Sequence, residues 1–282
     1  MAALDREIEL DSGAAVRVAQ DLDLGLGGSV WDASIVLAKY LDHIQLDGLM
    51  YPTALGAGVG GDVGEGSGPG LAPGVQNPSS PSPSVPGPAD TLWLEIGAGT
   101  GVLGLAVAEL LRGMARSGSG AVDVVVTDIP PALALLEKNV ANYVAEHGLE
   151  TVTLACGELP WSVEPGKVEV AVAGIPGLAD KLANAPGLAV LAGACVYEAD
   201  DFPALLCTLA TLCAALPLGA PVSVVMATEL RGQGEIGFFR QARGLGWNVR
   251  YIEADALHPD WVADDIVVVV LTNELGAPVT GC

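Results

Sequence analysis

The sequence predicts an α/β protein whose seven-strand, mostly parallel sheet carries helices on both faces and ends in an antiparallel strand. Two observations support this fold class. Strand-length apolar runs alternate with longer helical patterns between residues 92 and 245, and this alternation is typical of parallel sheets. The last two predicted strands, at 247–253 and 265–271, follow each other without an intervening helix. They are therefore expected to pair as antiparallel neighbours.

The chain divides into three parts by composition. Residues 1–50 predict N-terminal strands, from the alternation of apolar and polar residues over 5–23, and an amphipathic helix at Trp31–His43. In residues 51–90, 18 of the 40 positions are Gly or Pro and serines fill the end. Such a composition cannot form a packed core, so we expect a disordered Gly/Pro/Ser-rich insertion. Residues 91–275 form the predicted core.

The core elements follow from local patterns. Apolar runs bounded by Gly, Pro or polar residues predict strands, and apolar positions at helical spacing predict the helices between them. The predicted strands are Leu92–Ile96, Val122–Thr127, Thr151–Ala155, Leu188–Leu191 and Pro221–Thr228; the predicted helices begin at Val102 and Pro130 and cover Asp200–Leu216 and Glu235–Leu245.

A glycine-rich loop between the first core strand and its helix predicts a nucleoside-cofactor site. Gly97, Gly99 and Gly101 follow the strand at alternate positions. Glycines let the backbone approach a ligand closely, and the first turn of the helix offers unpaired N–H groups beside it. Asp128 ends the next strand, where a carboxylate can accept hydrogen bonds from both hydroxyls of a ribose.

The residues around this loop favour one cofactor over another. Gly99, Gly101 and Gly104 fit the dinucleotide fingerprint, which leaves an NAD-dependent oxidoreductase as an alternative. With Glu95 included, the run becomes Glu-x-Gly-x-Gly-x-Gly, the form typical of S-adenosylmethionine-dependent methyltransferases. A carboxylate beside the loop suits the positively charged methionine end of that cofactor. We therefore expect S-adenosylmethionine, with Glu95 among its binding residues.

Charge and composition exclude several classes of function. The chain has 12 basic and 34 acidic residues, a formal net charge of −22, so it repels nucleic-acid backbones and attracts basic protein surfaces. No apolar run reaches membrane-span length, and the N-terminal residues lack the plan of a signal or transit peptide. The three histidines, His43, His147 and His258, are isolated, and no metal site is expected.

Six stretches of the chain carry more specific patterns than the glycine loop: VRVAQDLDLGLGGSVWDASIVLAKYL, WLEIGAGTGVLGLA, VVVTDIPPALALLEKNV, ELPW, ELRGQGEIGFFRQARGLGW and LHPDWVADDIVVVVL. Together they resemble one family, the seven-strand protein-lysine methyltransferases of the methyltransferase-like-21 type. The resemblance covers most of the chain outside residues 51–90 and about 162–186. The glycine motif is shared by all methyltransferases of this class, whereas the VWDA, TD, ELPW and DDI series occurs in far fewer of them.

The resemblance implies a Rossmann-like methyltransferase sheet and a set of S-adenosylmethionine contacts. These are Trp31, the Gly97-Ala98-Gly99 turn, Asp128 on the ribose, Trp161 beside the adenine, and Gly193 through its backbone. Family members methylate lysines of other proteins, notably chaperones and AAA-type ATPases. The resemblance therefore implies a protein partner of this kind, and we expect a monomer in the cytoplasm, with the nucleus as the alternative location.

One position departs from the family pattern. The family's fourth strand ends in Asp-x-x-Tyr, whereas this chain has Ala194 in place of the acid and keeps Tyr197. We expect Tyr197 and Glu198 to be the catalytic residues. Either Glu198, Asp200 or Asp201 substitutes for the missing acid, or catalysis is weak, or the chain is an inactive cofactor-binding interaction module.

Overall fold

A computed structural model describes residues 4–46, 49, 86–114, 121–232 and 234–273. The strands are β1 (Leu4–Glu9), β2 (Ala15–Gln20), β3 (Leu92–Ile96), β4 (Val122–Asp128), β5 (Val152–Glu158), β6 (Leu188–Gly193), β7 (Val222–Glu229), β8 (Asn248–Tyr251) and β9 (Ile266–Thr272). The helices are α1 (Asp32–His43), α2 (Val102–Met114), α3 (Pro130–His147), α4 (Pro165–Gly174), α5 (Leu178–Asn184), α6 (Phe202–Ala214) and α7 (Glu235–Gly244). Within this part of the chain no helix has the length and hydrophobicity needed to cross a bilayer.

Seven of the strands form one sheet in the order β5-β4-β3-β6-β7-β9-β8, which confirms the predicted fold class. The first five strands of that order are parallel, and β9 is antiparallel to both β7 and β8. Strands β1 and β2 form a separate antiparallel hairpin. From the central β3 the chain moves outward to β4 on one side and later to β6 on the other. The carboxyl ends of β3, β4 and β6 therefore border the crevice where ligands bind in open α/β sheets.

Two hydrophobic cores cover the two faces of this sheet. Because side chains alternate along a strand, Trp93 points into one core and its neighbours Leu92 and Leu94 point into the other. The hairpin and helices α1, α2 and α3 cover the first face, and helices α4 to α7 cover the second. All five residues of β3 are buried, as expected for the central strand of a parallel sheet covered on both sides.

The chain differs from the sequence-based expectation in two helical regions of the core. Helices α4 and α5 occupy residues that carried no predicted element, and a 3₁₀ turn, Ala199–Asp201, precedes α6, which begins at Phe202. The predicted insertion at 51–90 lies outside the described residues except for 86–90. There a 3₁₀ turn at Pro88–Asp90 presents the Pro88 carbonyl oxygen to Trp93 Nε1 at 3.0 Å, so contacts with the core begin before residue 91.

A buried asparagine on α3 joins the N-terminal hairpin to the glycine loop. The Asn139 side chain is fully buried. Its Oδ1 accepts the backbone N–H of Ala19 at 2.9 Å, and its Nδ2 donates to the carbonyl oxygens of Ala19 at 3.0 Å and Thr100 at 2.9 Å. The amide thereby fixes the position of β2 relative to the loop that follows β3.

Replacing this amide is expected to destabilise the protein. Asn139→Ala leaves the Ala19 N–H and two carbonyl groups without their partner in a buried site, which should lower the free energy of unfolding by about 2 kcal/mol. Urea unfolding followed by circular dichroism measures the change. The control is Asn184→Ala at an exposed position on α5, expected to cost less than about 0.5 kcal/mol. Equal effects of the two substitutions would contradict the bridging role of Asn139.

Candidate functional site

A cavity of about 290 Å³ lies at the carboxyl edge of the sheet, near the lower end of the range for small-molecule sites, about 300–1,000 Å³. The loops after β3, β4, β5 and β6 form its walls, together with the start of α1. Eight of the ten residues predicted for the site line this cavity: Trp31, Gly97, Ala98, Gly99, Asp128, Trp161, Gly193 and Tyr197. Glu95 and Glu198 are not among the lining residues.

The glycine loop needs glycine because a side chain at Gly97 or Gly99 would collide with neighbouring residues. The absence of these side chains also leaves room for a ligand. Gly97 has a φ of +61°, and a Cβ there would lie 2.8 Å from Cys195 Sγ and 3.1 Å from the ring of Trp161. Gly99 has a φ of +54°, and a Cβ there would lie 3.2 Å from the carbonyl oxygen of Gly27. Both positions need the left-handed backbone that glycine adopts without strain. The loop is thus a backbone surface onto which a cofactor can pack closely.

Asp128 lies at the end of β4 with its carboxylate turned toward the glycine loop. Its Oδ2 accepts the backbone N–H of Gly99 at 2.6 Å and its Oδ1 accepts that of Ile129 at 2.6 Å. Burial raises the pKa of this carboxyl group, and the two backbone donors lower it. Each oxygen keeps a lone pair that can accept a further hydrogen bond. The geometry fits a carboxylate that holds the loop and also accepts the hydroxyls of a ribose.

A 3₁₀ turn at Leu22–Gly28 forms a wall of the cavity that the sequence pattern did not predict. Trp31 Nε1 donates to the carbonyl oxygen of Leu26 at 2.9 Å, which holds the indole against this turn. Leu24, Leu26 and Ile129 line the cavity yet are 37%, 54% and 49% exposed. Apolar side chains grouped at the rim of a cavity are typical of a ligand site. The only sequence signal for this wall is the LGLGGS run before Trp31.

The end of β6 brings a second set of groups into the cavity. Gly193 packs against α1, where a Cβ would lie 2.3 Å from Ser34 Oγ. Ala194 follows with a φ of +59°, a conformation that costs alanine about 1–2 kcal/mol and that Asp and Asn adopt more readily. Burial raises the pKa of the Tyr197 hydroxyl, which therefore keeps its proton at neutral pH. It can donate or accept a hydrogen bond but does not act as a strong base.

Glu95 is predicted from the sequence to contact the cofactor directly, but it does not line the cavity. Its carboxyl group is buried under α2, and Oε2 accepts the N–H of Gly104 at 2.9 Å. Burial raises its pKa to about 8, so the group is largely protonated at neutral pH. A neutral carboxyl group outside the cavity lining offers no charge to a cationic ligand. Its role is to hold the start of α2 against β3.

Glu198, predicted as a catalytic residue, does not line the cavity. It is exposed, in the turn between β6 and α6, and neither Asp200 nor Asp201 lines the cavity. Asp200 and Asp201 lie in the 3₁₀ turn that precedes α6, and Glu198 lies just before it. Burial first, and then the charges of Asp201 and Glu198 among others, raise the pKa of Tyr197, so the acidic run lies near the site without lining the cavity.

The cavity suits a nucleoside ligand with a positive charge. Among the described residues that line it, Asp128 is the carboxylate and none is Lys or Arg, and Trp31 and Trp161 supply aromatic surfaces. Such a lining favours a cation over a phosphate. In the part of the chain that the structure describes, no three His, Cys, Asp or Glu side chains are grouped to hold a metal ion.

Solved structures with a related fold are distant. The precorrin-6y C5,15-methyltransferase of Geobacter metallireducens GS-15 aligns with a TM-score of 0.36 and 11% identity, over 65% of this chain and 80% of its own. An O-methyltransferase family protein of Burkholderia thailandensis aligns with a TM-score of 0.37 and 10% identity, over 66% of this chain. The match spans about half, 52%, of the Burkholderia chain. These distant matches carry no conclusion about function.

Sequence comparison is more specific. The protein-lysine N-methyltransferase EFM6 of Saccharomyces cerevisiae (strain ATCC 204508 / S288c) is 27% identical over 230 residues, which are 81% of this chain and 74% of the yeast protein. Residues 11–173, more than half of the 282 residues, match the family described as lysine methyltransferase. The chain therefore belongs to the lysine methyltransferase family and is an S-adenosylmethionine-dependent protein-lysine N-methyltransferase.

Proposed function

We propose that the cavity at the carboxyl edge of the sheet holds S-adenosylmethionine and that the acceptor is a lysine of a chaperone or an AAA-type ATPase. The S-adenosylmethionine site is supported by one observation, namely that Asp128, the glycine loop and two tryptophans all line one cavity. The acceptor assignment rests on the resemblance to methyltransferase-like-21 enzymes. Action as a monomer in the cytoplasm, or alternatively in the nucleus, belongs to the same proposal.

Each proposed cofactor contact has a distinct physical role. Asp128 accepts the ribose hydroxyls, and Trp161 packs against the adenine from the end of β5. The backbone of Gly97, Ala98 and Gly99 lies under the nucleoside, and side chains at the two glycine positions would collide with neighbouring residues. Trp31 and Gly193 enclose the remaining part of the ligand. Binding would cover the exposed apolar rim, which contributes affinity through burial of apolar surface.

Methyl transfer depends on how the protein positions the amine rather than on a reacting group of the protein. When bound, S-adenosylmethionine would supply a methyl group on a positively charged sulfur, and a neutral lysine amine would take up that methyl group, leave a neutral thioether and release a proton. The chain's contribution is to exclude water around the site and to hold the amine in line. Tyr197 retains its proton at neutral pH because burial raises its pKa, so it can orient the amine by hydrogen bonding.

The charge of the chain supports a basic partner surface. A formal net charge of −22 favours encounter with lysine-rich surfaces and disfavours nucleic acid. This attraction weakens as salt screens exposed charges. Charge alone does not select one lysine-containing protein over another, so the chaperone or AAA-type ATPase assignment depends on the family resemblance.

The experiment that tests the proposed substrate uses methyl-labelled S-adenosylmethionine. The protein is incubated separately with a purified chaperone, a purified AAA-type ATPase and a cytosolic lysate, and labelled proteins are digested and sequenced by mass spectrometry. We expect label on lysine in at least one of the two purified proteins. Label confined to other proteins of the lysate would contradict the substrate assignment, and label on no lysine would contradict the proposed reaction.

A further inference from the structure

A small side cleft of about 40 Å³ adjoins the main cavity. Four residues, Leu26, Trp31, Ala194 and Tyr197, line both spaces, whereas Asp128 and Trp161 line only the larger one. The cleft thus opens on the Tyr197 side of the cavity, away from the proposed nucleoside contacts. Its remaining lining residues are Val196, Thr228, Glu229 and Arg231.

Glu229 brings a carboxylate to this cleft. It is the last residue of β7, the strand that pairs with β6 and therefore ends at the same edge of the sheet. Thr228 Oγ1 donates to the carbonyl oxygen of Val196 at 2.9 Å, which ties the end of β7 to the segment that carries Tyr197. The side chain of Glu229 is 36% exposed, so an incoming group can reach it.

A cation of the chain itself already occupies the space between Glu229 and an aromatic ring. Arg231 Nη2 donates to Glu229 Oε2 at 2.5 Å, and its guanidinium carbon lies 5.1 Å from the centre of the Trp31 ring. An aromatic face together with a carboxylate is a set of groups that binds ammonium ions. The backbone of Arg231 is held separately, because its N–H donates to Glu235 Oε1 at 3.0 Å. The Arg231 side chain is 35% exposed, so displacing its guanidinium does not require the backbone to move.

We propose that this cleft admits the acceptor lysine, that Glu229 and Trp31 bind its ammonium group before it loses a proton to solvent and reacts as the neutral amine, and that Arg231 occupies the same place until lysine displaces it. The inference rests on the proposed function and names the acid that recognises the acceptor. Ala194 also lines the cleft but carries no charge, and Glu198 lies outside it. Glu229 thus replaces, from the neighbouring strand, the acid absent at position 194.

The test measures amine binding without turnover. The protein is saturated with S-adenosylhomocysteine, and the affinity for n-butylammonium, the side chain of lysine, is measured by ligand-observed NMR. Glu229→Gln is expected to weaken binding at least threefold, because an ammonium–carboxylate pair is lost. Arg231→Gln is expected to tighten binding at least twofold, because a competing cation is removed. The matched control is Glu7→Gln, which breaks the exposed Glu7–Arg17 ion pair on the hairpin and should change nothing.

A second variant distinguishes loss of the carboxylate from general damage to the site. Adding Ala194→Asp to Glu229→Gln should restore binding to within about twofold of wild type, because an aspartate suits the left-handed backbone of residue 194. Equal affinity for S-adenosylhomocysteine in all variants reports an intact cofactor site. The inference is overturned if wild type does not bind n-butylammonium, if Glu229→Gln binds as well as Glu7→Gln, or if Ala194→Asp restores nothing.

Failure of this inference differs from failure of the proposed function. If butylammonium binding depends on Glu229 but no protein lysine is labelled, the amine site stands and the proposed reaction falls. If lysine is labelled while Glu229→Gln leaves amine binding unchanged, the reaction stands and the role of Glu229 falls.

Discussion

Asp128→Ala is expected to raise the Kd for S-adenosylmethionine roughly 10- to 150-fold. The carboxylate ends β4 inside the cavity and already holds the Gly99 and Ile129 N–H groups at 2.6 Å. Its loss removes hydrogen bonds to a charged group, worth about 1.5–3 kcal/mol, and also releases the glycine loop. Isothermal calorimetry measures the change in affinity directly.

The same strand offers a matched control for this substitution. Asp123 lies near the opposite end of β4 and pairs with Lys181. Asp123→Ala removes a carboxylate of the same strand without touching the cavity, so cofactor affinity should stay within about twofold of wild type. A folded Asp128→Ala variant with the affinity of the Asp123→Ala variant would show that Asp128 does not hold the cofactor.

The free energy of unfolding is expected to fall by roughly 3.5 kcal/mol between pH 5 and pH 8 through Glu95 alone. In the folded protein its pKa is about 8, and the ordinary value is 4.5. The folded state therefore binds more protons than the unfolded state between these values, and stability falls as pH rises through that window. The magnitude follows from 1.36 kcal/mol per pKa unit. Below about pH 4.5 both states are protonated, and this contribution to stability is fully present.

Glu95→Gln should remove this pH dependence. A glutamine keeps an oxygen that accepts the Gly104 N–H and cannot ionise, so it imitates the protonated carboxyl group. Urea unfolding of both proteins at pH 5, 6, 7 and 8 gives the difference in free energy at each pH. We expect the Glu95→Gln variant to gain stability relative to wild type as pH rises. Parallel pH profiles would show that Glu95 is ionised in the folded protein.

Much of the site could be predicted from sequence because it depends on the order of the elements. Gly97, Ala98, Gly99 and Asp128 follow the ends of two adjacent parallel strands, and the carboxyl ends of such strands always meet at one edge of a sheet. Trp161 lies just past the next strand along the chain. Strand order and local patterning thus place these side chains together without any knowledge of packing.

The differences between the sequence-based expectation and the structure concern properties that depend on packing. From the sequence alone, a glutamate beside a glycine loop is expected to be ionised. In the structure α2 covers Glu95, and this burial raises its pKa. Glu198 is exposed just before a 3₁₀ turn between β6 and α6, and the acidic run in the sequence did not signal this turn. Glu229 lies more than 30 positions from Ala194 in the chain. Only the pairing of β6 with β7 brings the two residues to one cleft.

The helices missed between residues 165 and 184 have a related explanation. Helices α4 and α5 are short and carry few buried residues, among them Val168, Val172, Leu178 and Leu182. Short helices form mainly because tertiary packing stabilises them rather than because of their own sequence. Here the packing surface is the second face of the sheet, which local patterning alone does not reveal.

The most direct test of the central claim is a crystal structure of the protein with S-adenosylhomocysteine. We expect the ligand in the cavity at the carboxyl edge of the sheet, with its ribose hydroxyls on the Asp128 carboxylate, its adenine beside Trp161, and its sulfur toward Tyr197 and the side cleft. A ligand bound elsewhere, or bound in this cavity with its ribose away from Asp128, would contradict the account.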